Sequence, residues 1–264
     1  MNSQPNDRVS VPDRERRLVS LLGERAAQYT VRCFSEIDST NTEAKRMALA
    51  GESRRAILLA ERQSAGRGRM GRDFYSPTGG LYCSLLCPVE GALADVVPLT
   101  GAVAVAVRRA IKTKTGIDTA IKWVNDLYLG NRKVAGILAE AVSTGEATYL
   151  VIGIGVNLTA TDFPPELADR AGSLMTEGLT PEALLAAIVS EIEPFLDHPE
   201  SREWLTDYRR HSNVIGREVL YTQNGETFSA LAEDVGRDGE LILRTPDGKR
   251  ALLRTGEVTI RLAE

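Results

Sequence analysis

The stretch IKWVNDLYLGNRKVAGIL, residues 121–138, contains apolar segments interrupted by the turn pair Gly130-Asn131. Strands are predicted at 121–124, 127–129 and 133–142, and the turn pair predicts that the last two form a hairpin. A fourth strand is predicted at 148–158. Hairpin strands without a regular alternation of strands and helices favour an α+β fold with a mixed sheet over a doubly wound parallel sheet.

Further helices and strands are predicted on both sides of this stretch. Strand patterns lie at 31–37, 56–63 and 81–87, and helical patterns lie at 12–22, 41–50, 99–111, 180–196 and 201–210. After residue 212, five short strands separated by turn residues predict a small β-barrel of the SH3-like or OB-like sort. We therefore expect a polar segment and short helix at 1–30, a larger domain at 31–212 and a barrel domain at 213–264.

The composition excludes several classes of function. Among 264 residues, 32 Lys and Arg stand against 36 Asp and Glu, so the net charge is -4. This charge argues against a surface built throughout for nucleic acid, although a local basic patch stays open. The longest apolar stretch, residues 101–107, is shorter than the roughly 18–20 residues that a membrane span needs. The first residues form no apolar signal segment, so we expect a cytoplasmic protein.

Cysteine and histidine are scarce. The three cysteines, Cys33, Cys83 and Cys87, are too few for a disulfide framework, and we expect buried thiols. The only histidines are His198 and His211, which excludes histidine-based zinc sites and most Ser–His or Cys–His nucleophiles. Catalysis in this chain therefore has to use Lys, Arg, Asp and backbone groups.

Two motifs offer groups that can hold a polar or anionic ligand. Ser39-Thr40-Asn41 opens a predicted helix, either as a cap, with Thr40 and Glu43 forming a capping box, or as a grip on a polar ligand. The segment QSAGRGRMGR, residues 63–72, fits G-x-G-x-x-G, but the sequence FYSPTGG after it is a poor helix, so we reject a dinucleotide site. Alternating Arg and Gly instead predict a flexible loop that closes over an anion. A solvated basic loop that touches nucleic acid is the alternative.

Two further motifs lie in the opening stretch. In KWVND, we expect Lys122 and Val124 to share one strand face, and Asn125-Asp126 either to form a turn or to place Asp126 as a magnesium ligand. In KVAGIL, Lys133 is either a solvated edge residue or, across one hairpin from Lys122, part of a cationic pocket. Two lysines and three arginines at one site would suit concentrated negative charge.

Taken in order, these motifs resemble the biotin protein ligases, also called biotin–acetyl-CoA-carboxylase ligases. The resemblance runs from Ser39-Thr40-Asn41 through the four motifs to IGIGVNL, residues 152–158, and ends in GEVTIR, residues 256–261. It implies a mixed sheet with flanking helices, related to class II aminoacyl-tRNA synthetases, and an SH3-like C-terminal barrel. The implied reaction joins biotin and MgATP into biotinyl-5′-AMP and then passes the biotinyl group to a lysine of a biotin carboxyl carrier protein.

The resemblance also implies roles for individual residues. The biotin-binding set would be Ser39, Thr40, Asn41, Gln63, Arg67, Gly68, Arg69 and Lys133, of which Lys133 and Arg69 would be catalytic. The ATP-binding set would be Arg72, Lys122, Asn125 and Asp126, with Asp126 facing magnesium. Tyr208 falls where an adenine-stacking aromatic is expected. Val124 stands where the family usually has proline, and we expect it to keep an extended backbone with little functional damage.

The resemblance leaves alternatives for function and assembly. About thirty residues precede Val31, too few for the DNA-binding winged helix of some members, so we expect no DNA partner. A lipoate or octanoate ligase shares the core fold, but the polar groups at Ser39, Asn41 and Gln63 favour the ureido ring of biotin over a lipoyl chain. A nucleic-acid-binding module is the non-enzyme alternative. A homodimer and the identity of the carrier protein are left open.

Overall fold

The computed structural model of the chain describes residues 9–89, 97–145, 147–223, 226–254, 256 and 258–260. Residues 1–8 of the predicted polar segment, the Asn224-Gly225 pair between two of the predicted short strands, and residues 257 and 261 of the GEVTIR motif lie outside the described residues. The five α-helices confirm the predicted helical segments to within a few residues at each end: α1 Val11–Leu22, α2 Thr40–Leu49, α3 Val97–Thr115, α4 Pro181–Asp197 and α5 Trp204–His211.

Local signals explain where these helices begin and end. Ser10 caps α1, with its hydroxyl accepting from the Asp13 N–H at 3.3 Å, and the helix stops at Gly23, whose φ is 60°. Thr180 caps α4 in the same way, and Pro181 follows at the first helical position. These side chains satisfy backbone donors that the helix itself leaves without partners.

Seven strands form the main sheet in the order β1-β2-β3-β7-β6-β5-β4. The strands are β1 Tyr29–Ile37, β2 Arg55–Gln63, β3 Gly80–Val89, β4 Ala120–Lys122, β5 Asp126–Leu129, β6 Arg132–Ser143 and β7 Thr148–Asn157. Only β1 and β2 pair in parallel, and the other neighbours are antiparallel. The predicted α+β class with a mixed sheet and a β5–β6 hairpin is confirmed.

The main sheet is covered on both faces. On one face, the other four helices share a large core with the odd-numbered residues of β3 and the even-numbered residues of β7, such as Leu85 and Ile152. On the opposite face, α2 packs through Met47 and Ala48 onto β2, β3 and β7. Because α2 is short, it covers only part of this second face, and the candidate site lies on the part that α2 does not cover.

The backbone after β4 differs from the prediction. The strand ends at Lys122, and residues 123–125 form a turn in which the Trp123–Val124 peptide bond is cis. The expectation that Lys122 and Val124 share a strand face is therefore wrong, because Val124 lies outside β4, whereas an extended backbone at Val124 stays a prediction. Both turn side chains, Trp123 and Val124, are buried in the core, which takes them out of the strand alternation.

Five strands after residue 212 form a second, antiparallel sheet in the order β11-β10-β9-β8-β12, as predicted for the C-terminal barrel. They are β8 Glu218–Gln223, β9 Glu226–Val235, β10 Leu241–Arg244, β11 Arg250–Leu253 and β12 Val258–Ile260. Side chains of the first part reach this sheet and its β9–β10 loop: Trp123 Nε1 donates to Gly239 O of the loop at 2.9 Å, and Arg209 donates twice to Val235 O at the end of β9. The division near residue 212 stays a prediction.

The cysteines behave as predicted. Cys33, Cys83 and Cys87 are free and buried, and burial raises the pKa of Cys33 and of Cys87 to about 12. Such thiols are poor nucleophiles at neutral pH. Within the described part of the chain, no helix is both long and apolar enough to cross a membrane.

Candidate active site

Glycines on adjacent strands open a hollow on the α2 face of the main sheet. Gly155 of β7 pairs directly with Gly136 of β6, and Gly136 pairs with Asp126 of β5. Gly153 lies one pleat further along β7 on the same face. With no side chains at these positions, the sheet forms the floor of a cleft with a volume of about 120 Å³.

Phe74 fills part of this hollow. A Cβ on Gly155 would lie 2.4 Å from the Phe74 ring, and one on Gly136 would lie 3.1 Å from it. The ring also meets Tyr82 edge-on, with centroids 6.4 Å apart. The glycines therefore position the aromatic ring, and the ring positions the loop that carries it.

The N-terminus of α2 supplies one wall of the cleft. Ser39, not Thr40, is the cap, because the Ser39 hydroxyl accepts from Thr42 N at 3.4 Å. The predicted Thr40–Glu43 capping box is therefore wrong, and Glu43 pairs with Arg46 instead. The Thr40 hydroxyl is free to join a buried network with Ser84 and Gln63 at 2.8 and 3.1 Å.

Polar groups at this wall hold one another in fixed orientations. Gln63 Oε1 accepts from Thr40 N at 2.8 Å, and Gln63 Nε2 donates to Ser76 Oγ at 2.9 Å. Ser39, Thr40 and Asn41 are all buried, each less than 5 % exposed. Buried polar groups of this kind are costly unless they have partners, so their arrangement is strongly constrained.

The arginine loop folds back over the cleft. Its two arms are joined by backbone hydrogen bonds, from Gly68 N to Arg72 O at 2.7 Å and from Phe74 N to Gly66 O at 2.9 Å. At the tip, Met70 has a φ of 56° and the residue is 72 % exposed. Arg69 Nη1 donates to Asn125 Oδ1 at 3.2 Å, so the loop contacts the turn after β4.

The cleft contains an ion pair at its floor. Lys133 Nζ lies 2.7 Å from Asp126 Oδ1, and 5.8 Å from the centre of the Phe74 ring. Arg67, Arg69 and Arg72 line the same cleft, as does Asp73. Four cationic side chains against two carboxylates make it a site for an anionic ligand.

A metal ion would find few protein ligands in this cleft. Within the described residues, no cluster of three or more His, Cys, Asp and Glu side chains is placed to hold a metal. Asp126 is paired with Lys133, and Asn125 Oδ1 already accepts from Arg69. These residues therefore suit an ion that keeps water and phosphate oxygens among its ligands, as Mg²⁺ does. They do not suit an ion that is held by protein ligands alone.

The cleft brings together every sequence-predicted site residue except Lys122 and Tyr208. Ser39, Thr40, Asn41, Gln63, Arg67, Gly68, Arg69, Arg72, Asn125, Asp126 and Lys133 all line it. Lys122 pairs with Asp126 across β4 and β5 but is not among the lining residues, and its Nζ lies 5.4 Å from the centre of the Tyr128 ring, so its place in a two-lysine pocket stays a prediction. The expectation for Tyr208 is wrong, because its ring is buried against Trp204 and its hydroxyl donates to Val124 O.

The sequence reasoning missed four residues that shape the site. Phe74 appeared only as part of a poor helix, and Ser84, Glu140 and Lys45 were not singled out. Glu140 joins Asn41 and Lys45, and Ser84 joins Thr40 and Asn41. Ser84 and Glu140 follow the period-two alternation of β3 and β6, which places them on the α2 face, so that alternation was the available signal.

Comparison with known proteins agrees with this geometry. Residues 33–157 match the "Biotin/lipoate A/B protein ligase family", and residues 214–261 match the "Biotin protein ligase C terminal domain". The chain is 32% identical to the "Biotin--[acetyl-CoA-carboxylase] ligase" of Paracoccus denitrificans, over 83% of this chain and 96% of that protein. The chain belongs to the biotin protein ligase family.

Other members of the biotin protein ligase family show how far the similarity extends. The "Bifunctional ligase/repressor BirA" of Escherichia coli is 31% identical over 78% of this chain, which spans 66% of the length of that protein. The solved "Biotin protein ligase from Aquifex aeolicus in complex with biotin and ATP" superposes with a TM-score of 0.77 at 26% identity, over 89% of this chain and 99% of that one. The family fold therefore extends over both sheets of this chain.

Proposed function

We propose that the chain activates biotin with ATP to biotinyl-5′-AMP and then transfers the biotinyl group to a lysine of a biotin carboxyl carrier protein. The observation that carries this proposal is the convergence of Lys133 and the arginine loop on a cleft walled by buried polar groups. The Aquifex aeolicus relative, solved with biotin and ATP, supports it.

The charges in the cleft suit the first half-reaction. The biotin carboxylate has to attack the α-phosphorus of ATP, and both groups are negative. An oxygen–phosphorus bond forms, the bond to the leaving pyrophosphate breaks, and no protein nucleophile is needed. Lys133 and Arg69 would offset the repulsion and the charge that develops on the phosphoryl oxygens, so we assign them as the catalytic residues.

The two ends of the cleft suit the two substrates. We assign Ser39, Thr40, Asn41 and Gln63 to the ureido end of biotin, because the first three are buried polar groups at the α2 wall and Gln63 is hydrogen-bonded to Thr40. Arg67 and Gly68 belong to the loop that would close over it. Arg72, Asn125 and Asp126 would face the nucleotide. We do not extend this assignment to Lys122, whose ammonium group contacts Tyr128.

Magnesium would enter with the nucleotide. Asp126 is the carboxylate that would hold it, since Mg²⁺ in nucleotide sites commonly takes one or two carboxylates and completes its shell with phosphate and water. When bound, the ion would neutralise charge on the phosphates. Lys133 forms an ion pair with Asp126 in the structure, so the lysine and the magnesium ion would both contact the same carboxylate.

The second half-reaction places a demand on the loop. The mixed anhydride has to survive until the amine of the carrier lysine attacks its acyl carbon, after which the carbon–oxygen bond breaks and AMP leaves. A closed loop that excludes water protects this intermediate from hydrolysis. The contact of Arg69 with Asn125 is the tie that would hold the loop closed.

Transfer of lipoate is the second candidate, since one family profile covers both biotin and lipoate ligases. The decisive experiment incubates the wild-type chain with MgATP, a biotin carrier domain or a lipoyl carrier domain, and labelled biotin or labelled lipoate. We expect label only from biotin on the biotin carrier domain. Label from lipoate alone, or no label at all, would overturn the proposal.

A further inference from the structure

A chain of hydrogen bonds leads from the outside of the cleft wall to its lining. Glu140, on β6, lies between two residues of α2: its Oε1 is 2.7 Å from Lys45 Nζ, and its Oε2 accepts from Asn41 Nδ2 at 3.0 Å. Asn41 is 4 % exposed and lines the cleft, whereas Lys45 and Glu140 do not line it. A charged pair outside the cleft is thus connected to a buried amide within it.

The carboxylate determines which way the Asn41 amide faces. An ionised carboxylate only accepts hydrogen bonds, so the amide nitrogen has to face Glu140. Asn41 Oδ1 then faces Ser84 Oγ, 2.6 Å away. The amide also lies where a Cβ of Gly153 would be, at 2.2 Å from Asn41 Oδ1, so the side chain is packed directly on β7. Packing leaves the amide plane fixed, and Glu140 decides between its two flipped states.

The orientation of the Asn41 amide fixes the direction of the hydrogen bonds between the next side chains of the wall, up to those that line the cleft. Ser84 Oγ lies 2.6 Å from Asn41 Oδ1 and 2.8 Å from Thr40 Oγ1, and its single proton can serve only one of them. With that proton on the Asn41 side, the Thr40 hydroxyl donates to Ser84 Oγ and not to Gln63 Oε1, 3.1 Å away. At the other side, Gln63 Nε2 donates to Ser76, which itself donates to Phe74 O, so Gln63 Oε1 faces Thr40. Both Thr40 Oγ1 and Gln63 Oε1 therefore present acceptor lone pairs to the cleft.

We propose that Glu140, held by Lys45, is a positioning residue that sets the hydrogen-bond polarity of the cleft wall and so selects a ligand ring with N–H donors. This inference rests on the proposed function and deepens it. The ureido ring of biotin carries two N–H donors, and the dithiolane ring of lipoate carries none. An acceptor-lined wall leaves its oxygens without partners when the ligand has no donor, which costs binding free energy.

The test replaces Glu140→Gln, because a neutral amide can offer Asn41 either an acceptor or a donor and so releases its orientation. Calorimetry measures the Kd of biotin and of biotin methylated at each ureido nitrogen. We expect the variant to bind biotin about tenfold or more weakly, and its preference for biotin over the methylated forms to fall by about tenfold. The KM for ATP in pyrophosphate exchange should stay within about twofold.

The matched control is Glu43→Gln on α2, the helix that carries Asn41 and Lys45, because the Glu43 carboxylate pairs with Arg46 and not with the wall. This variant should keep the wild-type Kd and preference, and circular dichroism should show both variants folded. A Glu140→Gln protein with the wild-type preference, or one that only melts earlier, would overturn the inference. A wild-type chain that binds no biotin would instead overturn the proposed function.

Discussion

At the scale of single residues, the site depends on positions where a side chain is absent. Gly136 lies in the KVAGIL motif, which the sequence analysis singled out. Phe74 lies in no such motif, because its contact with the glycines arises only when β6 pairs with β7 and the arginine loop folds over them. The sequence therefore predicted the charged lining of the cleft and not the ring that supports it. Strand register is non-local, and a single sequence does not reveal it.

The support given by Phe74 predicts that Gly155→Ala weakens biotin binding. The added Cβ would overlap the ring at 2.4 Å and force it and its loop to move. Overpacking typically costs about 1–3 kcal/mol, and we expect the Kd for biotin to rise by about tenfold or more. Calorimetry measures the Kd.

Gly101→Ala is the matched control, because its Cβ would overlap the Trp204 ring at 2.6 Å in the core on the other face of the sheet. It should lower the melting temperature and leave the Kd of the folded protein unchanged. A Gly155→Ala protein with wild-type affinity would contradict the role given to Phe74.

At the scale of elements, the arginine loop covers the cleft, and helices α1 and α4 are held together by a buried ion pair. The loop from Gln63 to Ser76 is closed by backbone hydrogen bonds between its arms and by the Arg69–Asn125 contact. Helices α1 and α4 are joined by a buried ion pair, Arg14 to Glu182, at 2.6 Å. The Gly–Arg alternation predicted the loop from sequence, whereas the Arg14–Glu182 pair joins residues far apart in the chain and gave no local signal.

The contact between Arg69 and Asn125 predicts that the Arg69→Gly variant releases biotinyl-5′-AMP before transfer. The variant loses the contact with Asn125 and part of the positive charge over the cleft. We expect labelled biotin to appear on bystander proteins that the wild type leaves unlabelled. Pyrophosphate release should be slower than the first turnover of the wild type, because a catalytic arginine is lost, but should continue beyond one turnover without a carrier. Gel detection of labelled bystanders measures the effect, and Arg62→Ala, outside the loop, is the control. Equal labelling by wild type and Arg69→Gly would refute closure by this tie.

The buried ion pair predicts a loss of stability without a loss of chemistry. Glu182→Ala leaves the buried Arg14 guanidinium with only Glu61 Oε2, 4.0 Å away, which costs about 3–5 kcal/mol in the free energy of unfolding. Urea denaturation measures this. Arg16→Ala, which removes the exposed pair with Asp13, should cost less than about 1 kcal/mol. Equal losses of unfolding free energy in the two variants would contradict the claim that the buried ion pair stabilises the fold more than the exposed one.

For the whole molecule, the two sheets are joined beside the cleft. Local signals such as the Ser10 cap and the Gly130-Asn131 turn predicted most elements, and motif order predicted the family. The order β3-β7-β6 and the contact of Trp123 with Gly239 could not be predicted, because they join distant segments. The turn that carries Asn125 is thus anchored to the C-terminal sheet.

This anchor predicts that Trp123→Phe affects both stability and nucleotide binding. The variant leaves Gly239 O without its 2.9 Å donor, at an expected cost of about 1–3 kcal/mol in the free energy of unfolding. Because the turn also positions Asn125, we expect a higher KM for ATP and an unchanged Kd for biotin. Urea denaturation and pyrophosphate exchange measure the two effects. A change in the Kd for biotin with no change in the KM for ATP would contradict the account.

The central claim is that Lys133 and the arginine loop bring two anions together in one cleft. Pyrophosphate exchange with biotin and MgATP, with mass spectrometry of the bound product, tests it most directly in wild type and Lys133→Ala. We predict biotinyl-5′-AMP in the wild type and a rate lower by about 10²-fold or more in the folded variant. Wild-type exchange by Lys133→Ala, or no biotinyl-5′-AMP from the wild type, would contradict it.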